Sequence, residues 1–170
     1  MLERLEAIHN LGFTHNDIKP DNIMLGSKNF KDKSSSNIYL IDFGISSKYL
    51  DNHGVHLGEN EPNLKVGCVL FASPNLWKKN KLSRRDDLIS LVYTLVFFLQ
   101  GELTFLELGN GEKEKIKMIG DKKIKTRPSQ ICVGNAECLL GFTTEVFKLE
   151  FMDKPNYGKL RHLLTKELLK

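Results

Sequence analysis

The chain has 170 residues, 41% of them apolar and 27% charged, values of one globular domain that buries about 70% of its unfolded surface. A net charge of +4 and a pI near 8.9 are too mild to imply nucleic acid and suit an acidic or phosphorylated protein substrate. Cys68, Cys132 and Cys138 form no C-x-x-C pair and read as free thiols in a reducing compartment, against a disulfide scaffold or a metal site. Met1–Glu6 has no signal-peptide core, and the most apolar run, Leu88–Leu99, is too short to cross a bilayer, so no membrane association is expected.

Leu2, Leu5, Ile8 and Leu11 recur at helical spacing, and Gly12 supplies a stop. Phe13-Thr14 leads into a polar stretch in which Pro20 forbids further helix. Ile23–Leu25 reads as a short strand and Gly26–Asn37 as a polar hairpin connection with solvated lysines. Ile38–Ile41 reads as a buried strand. Gly44 is expected where a Cβ would hinder the turning backbone. Ile45–Leu70 reads as a loop, with His53 and His56 exposed and short of the further ligands a metal needs.

Asp87–Gln100 is apolar nearly all round, the pattern of a buried helix. Its first residue, Asp87, serves either its own first turn or backbone N–H groups of the His15–Asn22 stretch. Gly101–Gly111 is a loop, and its Gly109-Asn110-Gly111 fails as a nucleotide motif because Glu114 stands where a third glycine belongs. Glu112–Lys125 reads as a lysine-rich helix closed by Pro128. Its Lys122-Lys123-Ile124-Lys125 reads as a solvated helix end, with a basic docking or nuclear-import patch as the alternative. Ala136–Phe151 reads as one amphipathic helix. Leu160, Leu163, Leu164 and Leu168 form the core stripe of a last one.

Two stretches carry chemistry. The first is His15-Asn16-Asp17-Ile18-Lys19-Pro20-Asp21-Asn22, and the second is the β-rich Ile38–Ile41 ending in Asp42-Phe43-Gly44. Phosphoryl transfer needs a carboxylate at the acceptor hydroxyl, hard-oxygen ligands for Mg²⁺ and positive charge on the moving phosphate. Asp17 suits the first task, Asn22 and Asp42 the second, and Lys19 the third. Asp, Asn, Pro and Lys are also ordinary turn residues, but four of them at this spacing, with Asp-Phe-Gly after a strand, form a specific pattern.

These stretches resemble the catalytic loop and metal-binding segment of a protein kinase. Ser83-Arg84-Arg85-Asp86-Asp87-Leu88, Phe71-Ala72-Ser73 and Asp153-Lys154-Pro155-Asn156-Tyr157 are similar to the casein kinase 1 family in particular. The resemblance implies a mainly α fold with a small β-hairpin region, the C-terminal lobe of a kinase. Its parts would be a catalytic loop (13–25), a metal-binding segment (38–44), an activation segment (42–75) and a helical subdomain (83–170).

It further implies a monomeric serine/threonine kinase of the cytoplasm or nucleus that uses ATP and Mg²⁺ on a protein substrate, without nucleic acid. Asp17 and Lys19 would be catalytic. Lys19, Asn22 and Asp42 would contact the nucleotide, and Asn22 and Asp42 the metal. Asp17 and Asp42 should converge on a single divalent ion.

The chain departs from the family at three places. Asn16 replaces the usual arginine, which removes a partner for a phosphorylated activation segment. Leu70-Phe71 replaces Arg-Tyr, which removes an anion contact that Lys65 and Lys115 could partly restore. Thr104-Phe105 replaces Pro-Trp, a packing change. No Gly-rich loop, strand lysine or helix-C glutamate occurs, so the chain is expected to be a fragment, a truncated gene model or a degenerate copy, impaired on its own. The competing expectation is an inactive pseudokinase-type binding or scaffold module. A third, an aminoglycoside-type phosphotransferase, is disfavoured by Lys19, Asp-Phe-Gly and Ser83–Leu88.

Overall fold

The computed structural model describes residues 1–27, 29, 31–59, 67–78, 81–103 and 112–168. The element at its centre is a 17-residue helix, α2 (Arg84–Gln100), three residues longer at its start than the apolar pattern indicates. Those residues, Arg84, Arg85 and Asp86, are charged, yet they are buried, as is Asp87 after them. Helix entry is set by the Asp86 carboxylate, which accepts the N–H of the N-cap residue Ser83 at 2.8 Å, one half of a capping box. Gly101, in the left-handed region at φ 78°, ends the helix.

Leu88, Leu91, Val92, Tyr93 and Val96 are essentially without solvent contact. Phe98 and Leu99 are exposed, so burial all round does not extend to the last turn. There only Phe97 turns back, its ring edge-on to Phe71 at 5.6 Å.

Against α2 pack α1 (Leu2–Asn10) and α5 (Leu140–Phe147), and α6 (Tyr157–Leu168) packs on both of these, all joined in one core that includes Leu2, Leu5, Phe142, Val146 and Leu160. Leu163 and Leu164 pack against it, whereas the Leu168 side chain lies outside the described residues. The single helix expected over Ala136–Phe151 is two elements. Gly134–Leu139 is a 3₁₀ turn that buries Ala136 and Leu139, three apart and therefore on one face of the tighter spiral. α5 then stops at Phe147, which lets Phe151 reach a buried position.

Pro128 opens a short helix, α4 (Pro128–Ile131), at a position where its missing N–H costs nothing. α3 (Glu112–Lys125) meets the 3₁₀ turn Pro74–Lys78 at Gly120, where an added Cβ would lie 2.3 Å from Trp77 Nε1.

Among the described residues, the strands form two small antiparallel pairs. β2 (Ile23–Leu25) and β3 (Ile38–Leu40) form the expected hairpin, with Met24 opposite Tyr39. The stretch Ile38–Ile41 is not buried as expected: Tyr39 is 51% exposed and Ile41 is also open. The reason is the hairpin's position at the margin of the helical core, where Met24, Leu25 and Tyr39 all face out. β1 (Phe13–Thr14) and β4 (Ser47–Lys48), two-residue strands too short to leave a pattern, pair Thr14 with Ser47. Thr104-Phe105, Lys65 and Gly109–Gly111 lie outside the described residues. Among those described, no helix is long and apolar enough to cross a membrane, and the three cysteines are free thiols.

Candidate active site

The site starts at the end of α1. Gly12 (φ +84°) reverses the chain, and its carbonyl accepts the Tyr49 N–H at 3.0 Å, fixing the β1–β4 pair beside it. His15–Asn22 then folds against the N-terminus of α2. Asp87, 1% exposed, serves this loop and not its own helix. It accepts the backbone N–H groups of His15 at 2.7 Å and Asn16 at 2.8 Å, and the His9 Nε2–H at 2.9 Å. His9 Nδ1 meets the Tyr157 hydroxyl, and the Tyr49 hydroxyl donates to the His9 carbonyl at 2.5 Å. A carboxylate with this many charge-assisted donors fixes the loop in one conformation.

Asp86, Arg84 and Arg85 of the same stretch also hold distant segments. Asp86 accepts from Ser73 Oγ at 2.6 Å and Asn75 Nδ2 at 2.8 Å, tying Phe71–Asn75 to α2. Arg84 donates to the Met152 carbonyl at 2.8 Å and lies over the Tyr49 ring. Arg85 reaches Glu59 at 2.9 Å. His56, expected in solvent, is partly buried, its ring against those of Tyr49 and Phe151; His53 is exposed as expected.

Asn16 adopts φ +68°, a region Asn tolerates better than most residues. Its Nδ2 donates to the Ile45 carbonyl at 3.0 Å and Ser47 Oγ at 2.9 Å, holding the chain just after Asp42-Phe43-Gly44. His15 Nε2–H donates to the Ile41 carbonyl at 3.1 Å, while its Nδ1 accepts the Asp17 N–H at 3.3 Å. The His15 ring sits edge-on to Phe43 at 4.9 Å. The two stretches singled out in the sequence are thus bonded to each other.

Asp17, Lys19 and Asn22 converge. Asp17 Oδ2 lies 2.8 Å from Lys19 Nζ and accepts from Asn22 Nδ2 at 3.0 Å; Oδ1 accepts the Cys68 N–H at 2.9 Å. Burial alone would raise the Asp17 carboxyl. The Lys19, Cys68 and Asn22 hydrogen bonds outweigh it and hold the group below the usual carboxylate value. The same hydrogen bond from Asp17, ahead of the opposing effect of burial, raises Lys19 above an ordinary lysine. Gly67 closes over the carboxylate, and a Cβ there would lie 2.6 Å from Asp17 Oδ1.

Asn22 is 4% exposed, and its Nδ2 also donates to the Asp17 carbonyl at 2.8 Å. That commits the amide nitrogen and leaves the amide oxygen as the atom able to ligate. The Asn22 carbonyl accepts the Ile41 N–H at 3.0 Å, which brings Asp42 next to it in the chain that follows. Asp42 is exposed at φ +61°, and its Oδ1 accepts the Gly44 N–H at 3.2 Å. The left-handed residue of this turn is Asp42. Gly44 serves by close approach, since a Cβ would lie 3.1 Å from that Oδ1.

An amide oxygen and one exposed carboxylate are hard donors that fit Mg²⁺, which takes one or two carboxylates and completes its shell with phosphate oxygens and water. Among the described residues, no three His, Cys, Asp or Glu side chains group as a self-sufficient metal site.

One residue the sequence reading assigned to solvent is part of this architecture. Lys123 is 1% exposed and donates to the carbonyls of Val69, Leu70 and Ala72 at 3.0, 2.7 and 2.6 Å. Its spacing of four from the buried Ile119 on α3 was the available signal. Lys122, Ile124, Lys125 and Lys115 are exposed. A family model described as the protein kinase domain matches residues 1–157.

Proposed function

The chain belongs to the protein kinase domain family, and on that premise we propose that it transfers the γ-phosphoryl group of ATP to serine or threonine of protein substrates, as a casein kinase 1 type enzyme. The single supporting observation is the Asp17 carboxylate held among Lys19, Asn22 and the Cys68 N–H. The proposal takes these residues as a kinase C-terminal lobe acting as a monomer in the cytoplasm or nucleus, with an acidic or phosphorylated protein substrate.

In this reading the acceptor hydroxyl oxygen attacks the γ-phosphorus, the bond to the ADP oxygen breaks, and the hydroxyl proton passes to Asp17. Asp17, held ionised, orients the hydroxyl throughout; in a loose transition state the proton leaves late, so a weak base suffices. Lys19 turns its ammonium from Asp17 toward the transferring phosphate as a point charge. Asn22 Oδ1 and the Asp42 carboxylate would hold Mg²⁺, which when bound offsets the charge on the phosphate oxygens.

The test is phosphate incorporation into casein by the full natural protein that carries this chain. Asp17→Asn is expected to lower kcat by about 10²–10⁴-fold. Labelling that survives this change overturns the role of Asp17. Absence of labelling by the unmodified protein, together with no thermal shift on adding Mg²⁺ and ATP, replaces the enzyme with a non-catalytic binding module.

A further inference from the structure

Lys123 sits in a helix where Lys115, Lys117, Lys122 and Lys125 are exposed, yet it is enclosed. Residues 68–72 form a tight turn in which the Cys68 carbonyl accepts the N–H groups of Phe71 at 3.1 Å and Ala72 at 2.9 Å. The carbonyls of Val69, Leu70 and Ala72 converge on Lys123 Nζ. An ammonium has three N–H donors and no acceptor, so it can serve all three carbonyls at once. The Tyr93 ring at 4.3 Å and the Trp77 ring at 5.7 Å flank the charge, and Gly120 leaves room for Trp77. The residue that opens this turn, Cys68, gives its own N–H to Asp17 Oδ1 at 2.9 Å.

We infer that Lys123 is a positioning residue for phosphoryl transfer: it sets the turn at 68–72 and through it the Cys68 N–H that orients the Asp17 carboxylate. The inference rests on the reading of Asp17 given above. Enclosing a cation is a poor route to stability, because desolvation offsets most of what its partners return. What the charge uniquely supplies here is convergence. Without it three converging, partly buried carbonyl dipoles face one another, and the turn rotates to separate them. The displacement passes directly to Cys68, one residue away. A near-attack geometry tolerates little of this, since a shift of about 1 Å can cost about 10²-fold in rate.

The experiment uses the full natural protein and compares Lys123→Met with Val96→Ala, a core truncation in α2 more than two turns beyond Asp87. Lys123→Met keeps the length and apolar packing against the two rings and removes the charge with its donors. It is expected to lower kcat by about 10–100-fold with little change in KM for ATP, and to speed hydrogen exchange at the Cys68 amide. The acid limb of kcat/KM should also move to higher pH, because Asp17 loses a donor to its ionised form. Val96→Ala should lower the thermal midpoint while leaving kcat, the Cys68 exchange rate and the acid limb as in the unmodified protein.

Where Lys123→Met does not fold, Lys123→Gln, which keeps two donors, should show the same shifts at smaller size. Unmodified kcat and acid limb in whichever variant folds overturn the inference. Asp17→Asn runs alongside: if it retains full activity, the reading of the site falls. If it is inactive while the Lys123 variants match the unmodified protein, only the positioning role falls.

Discussion

At the scale of single residues, the site is built by over-determination. Asp17 has donors on both oxygens, Asn22 spends its amide nitrogen on Asp17, and Asn16 and Asp42 accept left-handed backbone conformations. Because the folded Asp17 carboxyl lies below its ordinary value of 3.8, the unfolded chain takes up its proton first as pH falls. The stability Asp17 contributes is therefore fully present above that value and is lost as pH drops through the lower folded one. Urea midpoints of the unmodified protein and Asp17→Asn should differ by a constant amount from neutral pH down to about 4, and the difference should shrink only below. Asn22→Ala removes one donor from Asp17 and one hard oxygen from the proposed metal site. Its kcat should fall, and the Mg²⁺ concentration for half-maximal rate should rise in the same titration.

At the scale of elements, the N-terminus of α2 holds two neighbouring carboxylates with separate jobs. Asp87 holds the backbone of His15 and Asn16, whereas Asp86 holds Ser73, Asn75 and the helix cap. Replacing either with Ala strands buried donors, at a cost of about 3 kcal/mol or more in urea unfolding. Activity per folded molecule should separate them. Asp87→Ala frees the loop that carries Asp17 and should lower kcat strongly, whereas Asp86→Ala should act mainly through stability. α3 is set against the Pro74–Lys78 turn by Gly120, so Gly120→Ala forces a Cβ into the Trp77 ring. A loss of about 1–3 kcal/mol is expected from overpacking, read from the denaturant midpoint.

At the scale of the whole molecule, one buried helix carries the core on its sides and the site on its first turn, so global stability and site geometry share a scaffold. The enclosed Lys123 links them to pH. Burial lowers it from an ordinary 10.5 to about 7, with Cys68 pulling weakly the other way. Tyr93, beside it, is pushed up by burial and stays neutral through this range. Between those two values the unfolded chain binds more protons than the folded one, so stability rises with pH. With Lys123→Met as the reference that cannot titrate, the stability of the unmodified protein relative to it should rise from about pH 7 to about pH 9 in urea unfolding, and over the same range kcat of the unmodified protein should fall as the ammonium gives up its third donor.

The sequence alone determined what depends on neighbours along the chain. The helical spacing of Leu2, Leu5 and Ile8, the stop at Gly12, the hairpin of Ile23–Leu25 with Ile38–Leu40 and the apolar body of α2 were all legible. So was the spacing that gathers Asp17, Lys19 and Asn22, because a loop of six residues has few ways to arrange them. Tertiary structure decided what depends on residues far apart. It turned Asp87 toward His15 and Asn16, more than 70 positions away. It enclosed Lys123 beneath carbonyls more than 50 positions earlier, and left Tyr39 in solvent despite its strand-like neighbours. Periodicity records which face of an element is apolar; burial of a charge is a sum over partners from distant segments, and no local pattern contains that sum.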